Sequence, residues 1–344
     1  MVEFTVFSVP FLAGVFVVAA AIIAIFGSMM TRIADRLADV TGLGEALMGA
    51  IFLGGSTSTP GIITSVTAAY EGYPKLAISN AIGGIAAQTV FLAIADITYR
   101  KANLEHAAAS IANIMQGTLL VGLLALSILG MAGPQVTFFQ IHPISLLLIA
   151  GYIFGLLQVS KAQTEPMWRA KKTRETHIDE TKTENITRCQ MVLAWLKFAI
   201  LGIIVGFAGY VVAKSGIALS NKVGISQTIV GGLLTAVITS LPELVTSLSA
   251  VRQGALTLAV GGVIGGNGFD VLFLSFSDFA YREGSVYAAL NQEQLFMISS
   301  TILLTGVLLL GLLRREKHGI ANIGFESFLI IVLYIAMFVS IFSL

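Results

Sequence analysis

The sequence predicts an all-α polytopic membrane protein, with ten transmembrane helices in two inverted five-helix repeats. Three observations predict it: a composition too apolar for a soluble surface, ten long apolar runs, and a segment that recurs at one fixed offset. Hydrophobic residues make up 56% of the 344-residue chain and charged residues 11%, under half the roughly 25% usual in a soluble domain. Mean hydropathy is +0.88. A disordered chain needs the reverse balance, low hydrophobicity and high net charge. A membrane barrel would show alternating segments of about ten residues. Here the runs are continuous, and 35 glycines suit close helix packing in lipid.

Apolar runs of about 20 residues span a bilayer as helices. They fall at 7–28, 43–70, 74–98, 108–131, 142–160, 190–213, 224–251, 255–280, 295–313 and 322–343. The first has no basic flank ahead of it, so it reads as a retained span rather than a cleaved signal. The second and third are rich in Gly, Ser and Thr and are divided by Glu71-Gly72-Tyr73-Pro74. The fourth and fifth are divided by Gly133-Pro134. A mixed-charge stretch from Lys161 to Arg188 then separates five spans from five more, and the seventh and eighth repeat the composition of the second and third. The units are therefore a first repeat at 1–160, a linker at 161–190 and a second repeat at 191–344.

Basic residues orient the spans. If spans alternate, one side receives Arg32, Arg36, Arg100, Lys101, the basic residues of the linker, Arg252, Arg314, Arg315 and Lys317. The other receives Lys75, Lys214, Lys222 and Arg282. The linker is then cytoplasmic and both termini lie outside. The Asn185-Ile186-Thr187 sequon falls on the cytoplasmic side and is discounted. Short loops favour a prokaryotic cell (inner) membrane.

Residues 42–96 align without gaps on 224–278 at an offset of 182, with 17 of 55 positions identical. Thr57-Ser58-x-Pro60 meets Thr239-Ser240-x-Pro242, and Ile82-Gly83-Gly84 meets Ile264-Gly265-Gly266. Five spans separate equivalent points, so the copies have opposite orientations. Inverted repeats of this kind belong to secondary transporters, with the binding site near the midplane.

Proline cannot donate the helical hydrogen bond to the carbonyl four residues back. Pro60 frees the carbonyl of Ser56 and Pro242 that of Ile238. With the hydroxyls of Thr57, Ser58, Thr239 and Ser240, these are neutral oxygen donors suited to hard cations such as Na⁺ and Ca²⁺. Two carboxylates lie deep. Glu243 precedes Arg252 by nine residues, about 13 Å of helix, and Asp270 lies about 15 Å from the end of its span. No deep Lys or Arg is available to pair with them. Ionisable groups at that depth mark a functional site by default, here one for a metal cation, a proton, or both in turn. Asp96 and Asp278, also repeat-equivalent but near opposite faces, read as helix-end hydrogen-bonding groups, with residues of the two mouths as the alternative.

Thr239-Ser240-Leu241-Pro242-Glu243 through Ser247, with Gly265-Gly266-Asn267-Gly268-Phe269-Asp270, resembles the α-repeat signature of the sodium/calcium exchanger superfamily. The two repeats cover about a third of the chain, and the five-plus-five layout extends the resemblance to nearly all of it. The resemblance implies cation antiport by alternating access. It makes Glu243, Asp270, Ser240, Thr239, Ser58, Thr57 and Gln88 the metal ligands, and it matches Asn80 to the asparagine of the family's Gly-Asn pair. The chain departs from the family in carrying Gly61 where the first repeat usually has Glu, and Gln88 where Asn or Asp is usual. Gly84 and Gly266 also replace a serine in the two copies. Two carboxylates neutralise one Ca²⁺, whereas three Na⁺ on the same pair would leave excess charge in a low dielectric.

The expected function is secondary Na⁺/Ca²⁺ exchange. Two alternatives are proton-coupled exchange on the same fold, and a degenerate ion-sensing or structural membrane protein. No enzyme activity and no cofactor are expected. The partners are inorganic cations and the bilayer. A net charge of +1 gives no case for nucleic acid, and no phosphate-binding Gly-rich loop occurs. Cys189 stands alone, and His106, His142, His177 and His318 show no metal spacing.

Overall fold

Helices account for the regular structure in the computed structural model, which describes residues 4–41, 47–99, 102–164, 166–168, 171, 187–317, 319 and 323–343. The expectations made for Gly42, Glu45, Arg100, Lys101, His177, His318, Asn185-Ile186 and most of the linker lie outside the described residues. The first half comprises α1 (Val9–Ile22), a π segment (Ile23–Gly27), α2 (Ser28–Thr41), α3 (Leu47–Thr57), α4 (Thr59–Tyr70), α5 (Pro74–Thr98), α6 (Leu104–Ala107), α7 (Ile111–Ala132) and α8 (Pro143–Thr164). The second comprises α9 (Arg188–Val223), α10 (Gln227–Ile229), a π segment (Val230–Thr235), α11 (Ala236–Thr239), α12 (Leu241–Gln253), α13 (Leu256–Asp270), α14 (Leu272–Ala280), α15 (Val286–Ala289), α16 (Gln292–Arg314) and α17 (Phe325–Ser343).

Among the described residues eight helical stretches are long and apolar enough to cross a bilayer, and the pair Gln227–Thr239 and Leu241–Gln253, bent by 44°, makes a ninth if it counts as one span. The apolar runs at 43–70 and 224–251, each carrying a motif proline, are interrupted at Ser58 and Ser240. Both serines have nearly the same backbone geometry, φ −84°, ψ 0° and φ −95°, ψ 4°. Each break falls two residues before the motif proline. Proline is tolerated at the start of a helix, where its missing N–H costs nothing, so each second half-helix begins anew there. Two further boundaries move. The first span does not stop at 28 but continues into amphipathic α2, which carries Arg32 and Arg36 on a helix rather than a loop. α9 runs for 36 residues, so Cys189 sits in its first turn rather than in a loop.

The most deeply buried helix is α5, which packs against the π segment 230–235 at backbone distance. A Cβ on Gly83 would lie 2.1 Å from the Gly232 carbonyl oxygen. Small residues permit such approach where lipid gives no hydrophobic drive to helix association.

Contacts between distant segments recur at the 182-residue spacing. Gly27 lies against Pro242, where a Cβ would come 2.5 Å from the ring, and Gly209 lies against Pro60, where one would come 2.7 Å from the carbonyl oxygen. Asp96 accepts from the backbone N–H groups of Leu104 at 2.6 Å and Gly324 at 3.1 Å. Asp278 accepts from those of Val286 at 2.9 Å and His142 at 2.8 Å. Ser145 donates to Asp278 at 2.7 Å, whereas its equivalent Ser327 donates to Glu105 Oε1 at 3.0 Å. Each carboxylate thus ties a helix end in one half to the start of the last long helix in the other. Gly72 adjoins Glu283, so Asp278 sits near the start of α5. Asp96 sits near its finish, about 33 Å away on the helical rise. The Asp96 end also holds Arg315, whose guanidinium donates to the Lys171 carbonyl, and is called the linker end below.

Candidate functional site: a cation site at the paired helix breaks

The two breaks meet at the middle of the bundle, and four of the seven expected ligands form one hydrogen-bonded group. Ser58, at the first break, donates to Asp270 Oδ1. Gln88 on α5 donates through Nε2 to Asp270 Oδ2 at 2.7 Å and to Ser240 Oγ, at the second break, at 3.3 Å. Residues from both halves therefore converge on one carboxylate that ends α13. Gly84 opens the wall of this group, since a Cβ there would lie 3.3 Å from Ser240 Oγ.

Glu243 opens α12 one turn beyond the second break. It is 6% exposed, and its Oε2 has no hydrogen-bond partner. The Asp270 carboxylate and the Thr57 hydroxyl lie beside it; the Thr57 proton goes to the Gly54 carbonyl at 3.1 Å, so Thr57 borders the group from the first repeat. Thr239 is turned elsewhere. Its hydroxyl donates to Asn80 Oδ1 at 3.5 Å and to the Ala236 carbonyl at 3.2 Å. Asn80 is saturated, accepting also from Thr235 and donating to Ser65 and the Gly61 carbonyl. It braces the breaks rather than offering a free oxygen.

The donor set fits a hard cation. Gln88 Oε1, Glu243 Oε2 and Asn267 Oδ1 are buried acceptors without partners, and an unpartnered buried acceptor costs free energy until a donor or cation meets it. Neither Glu243 nor Asp270 is paired with Lys or Arg among the described residues. No group of three His, Cys, Asp or Glu able to hold a metal occurs among those residues, so amide, hydroxyl and carbonyl oxygens must complete any shell.

Sequence reasoning missed Tyr152 and Phe273. Tyr152 on α8 is 2% exposed, meets the Phe269 ring edge-on and feels the Asp270 charge, while its hydroxyl is unpartnered. Nothing in its run of apolar neighbours distinguishes it. Phe273 explains the missing first-repeat acid: a Cβ at Gly61 would lie 2.7 Å from its ring. The ring stands in the space that a side chain at 61 would need.

The family described as sodium/calcium exchanger protein matches residues 11–160 and 192–343, across both helix breaks. The chain belongs to that family. It is 27% identical over 311 residues to an uncharacterized membrane protein of Methanocaldococcus jannaschii, covering 89% of this chain and 90% of that one. It is 35% identical over 135 residues to the sodium/calcium exchanger MaX1 of Methanosarcina acetivorans, covering 39% of this chain and 38% of the relative. The solved sodium-calcium exchanger NCX_Mj shares the fold, with a TM-score of 0.62, 18% identity, and coverage of 97% and 99%. This exchanger-family chain is accordingly a membrane cation antiporter rather than an enzyme, and cations are its cargo.

Proposed function

We propose that the protein exchanges Na⁺ for Ca²⁺ by alternating access, with Glu243, Asp270, Ser240, Ser58, Thr57 and Gln88 lining the ion site. Thr239 would contribute through its backbone. The supporting observation is the convergence of both helix breaks on Asp270, beside an unpartnered Glu243 oxygen. The recurrence of inter-half contacts at a spacing of 182 residues supports two inverted halves, at 1–160 and 191–344, joined by the 161–190 linker. The asymmetry of basic residues supports a cytoplasmic linker and external termini, in a prokaryotic cell membrane.

A second reading, proton-coupled exchange, draws on Gly61 and Phe273. The site holds two carboxylates and no room for a third at 61. Two protons or one divalent cation would each balance that charge. The test is uptake of radioactive calcium into proteoliposomes loaded with Na⁺. Uptake that requires the outward Na⁺ gradient supports sodium coupling. Uptake driven by a pH gradient alone, indifferent to Na⁺, replaces it with proton coupling. No calcium movement under either gradient, in folded protein, overturns both.

The Phe273 observation gives a separate expectation. Gly61→Glu alone should destabilise the protein by about 1–3 kcal/mol, the usual cost of overpacking. Phe273→Ala in the same chain should recover part of that loss. Thermal unfolding of the single and double variants measures it, and equal loss in both would contradict the steric account.

A further inference from the structure

The two aspartate clamps are alike in their backbone bonds and unlike in their surroundings. Beside Asp278 stand Tyr287 and Ile144. The positions 182 residues away, beside Asp96, are Glu105 and Glu326. Both glutamates are buried, 3% and 4% exposed, and Asp96 is fully so. Three carboxylates from α5, α6 and α17 therefore share one dry junction at the linker end. The two glutamates close over the bare backbone of Gly311 on α16, where a Cβ would lie 2.6 Å from Glu326 Cγ and 3.1 Å from Glu105 Cγ.

Their hydrogen bonding is unequal. Asp96 accepts from two backbone N–H groups, which compensate its charge. Glu105 receives one hydroxyl donor, Ser327, at 3.0 Å on Oε1, and its Oε2 has no partner. Asn103, 2% exposed, has an unpartnered Nδ2. That nitrogen, Asp96 Oδ2 and Glu326 Oε2 all lie 3.3–3.4 Å from the point a Cβ on Gly324 would occupy, so an unsatisfied buried amide is aimed into the acid cluster. The other charged groups at the junction are His106 and Arg315. His106 Nδ1 meets the Arg315 carbonyl oxygen, and the guanidinium donates to the carbonyls of His106 and Lys171. Lys317 follows, its carbonyl accepting from Asn103 N–H.

We propose that Glu105 is a proton-binding site at the linker end of the scaffold, distinct from the ion site and absent from the opposite end. Its proton keeps three buried carboxylates from carrying three charges. Losing it sets like charges against each other and loosens the junction of α5, α6 and α17. Burial, with the Asp96 and Glu326 carboxylates adding to it, pushes Glu105 up to about 8. A carboxyl raised in the folded state contributes stability in full below its ordinary range. That contribution is lost as pH rises through the raised value.

The experiment uses the full chain in lipid nanodiscs, with infrared spectra of the protonated-carboxyl stretch and thermal unfolding followed from pH 5 to 10. The wild type should lose a protonated-carboxyl component near pH 8, and its heat stability should fall as pH rises from about 5 toward that value and level off above it. Glu105→Gln should lack that component and hold a level unfolding temperature. Tyr287→Phe, at the equivalent place in the other clamp, should titrate as the wild type does. A component that persists undiminished in Glu105→Gln, or unfolding temperatures that fall in parallel, overturns the proposal. If Glu105→Gln does not fold, Glu326→Gln decides. Removing that neighbouring acid should lower the midpoint, and an unmoved midpoint overturns the proposal equally.

Discussion

Glu243→Gln and Asp270→Asn will each abolish ion flux while leaving the protein at least as heat-stable as the wild type. The two effects have one cause. Each carboxylate is buried without a basic partner, an arrangement that costs folding free energy until a cation arrives. The amides keep shape and volume but carry no charge. At Asp270 the Ser58 donor keeps its acceptor, and Gln88 can rotate its unpartnered Oε1 toward the new amide. Removing one partner of a buried charge pair costs about 3–5 kcal/mol, which is more than about 100-fold in rate if it falls on the transport barrier. Calcium uptake and thermal unfolding on the same preparations measure both. Flux that survives in Glu243→Gln would remove that residue from the ion path, whereas folded wild-type protein that carries no flux would favour a structural or sensing role. Flux lost together with a large fall in unfolding temperature would point to misfolding instead.

Gly83→Ala will be the most damaging single methyl group among the described helical glycines. Its Cβ would fall 2.1 Å from the Gly232 carbonyl oxygen and 2.6 Å from the Gly232 Cα. The obstacle is backbone, so no side-chain rotation relieves it. α5 and the 230–235 segment must separate, and α5 carries both Asn80 and Gln88. Overpacking usually costs about 1–3 kcal/mol, occasionally more. This site belongs at the upper end, because the displaced helix also breaks the Asn80–Thr235 and Gln88–Asp270 hydrogen bonds. Gly262→Ala is the control, since a Cβ there meets nothing within 4 Å. The yield of monodisperse protein and its unfolding temperature should drop sharply for the first and stay near wild type for the second.

Much of this was legible in the chain. Hydropathy gave the membrane class, and the gapless recurrence of Thr-Ser-x-Pro pointed to the paired breaks. Depth along a helix singled out Glu243 and Asp270, since a carboxylate in an apolar run is conspicuous. Asp96 and Asp278 were read as helix-end hydrogen-bonding groups, which is what they do. The features that escaped depend on contacts between remote segments. Phe273 is an ordinary membrane phenylalanine until Gly61 is placed beneath it. Tyr152 becomes notable only beside Asp270. Thr239 matched the motif, yet its hydroxyl was drawn to Asn80, a residue more than 150 positions away. The ends of α2 and α9 were missed because a hydropathy window stops where charges begin, whereas backbone hydrogen bonding continues through an amphipathic turn.

The constant spacing also limits where the chain can change length. Every such contact between the halves joins a residue between 27 and 145 with one between 209 and 327. One residue added inside either stretch would advance one partner by about 1.5 Å and turn it by about 100°, detaching a clamp or lifting a glycine off its proline. Among the described residues between 164 and 187 no such pairing occurs. A reporter domain or affinity tag inserted there should leave both halves in register, while the same insertion at 99–102 or 281–284 should abolish folding.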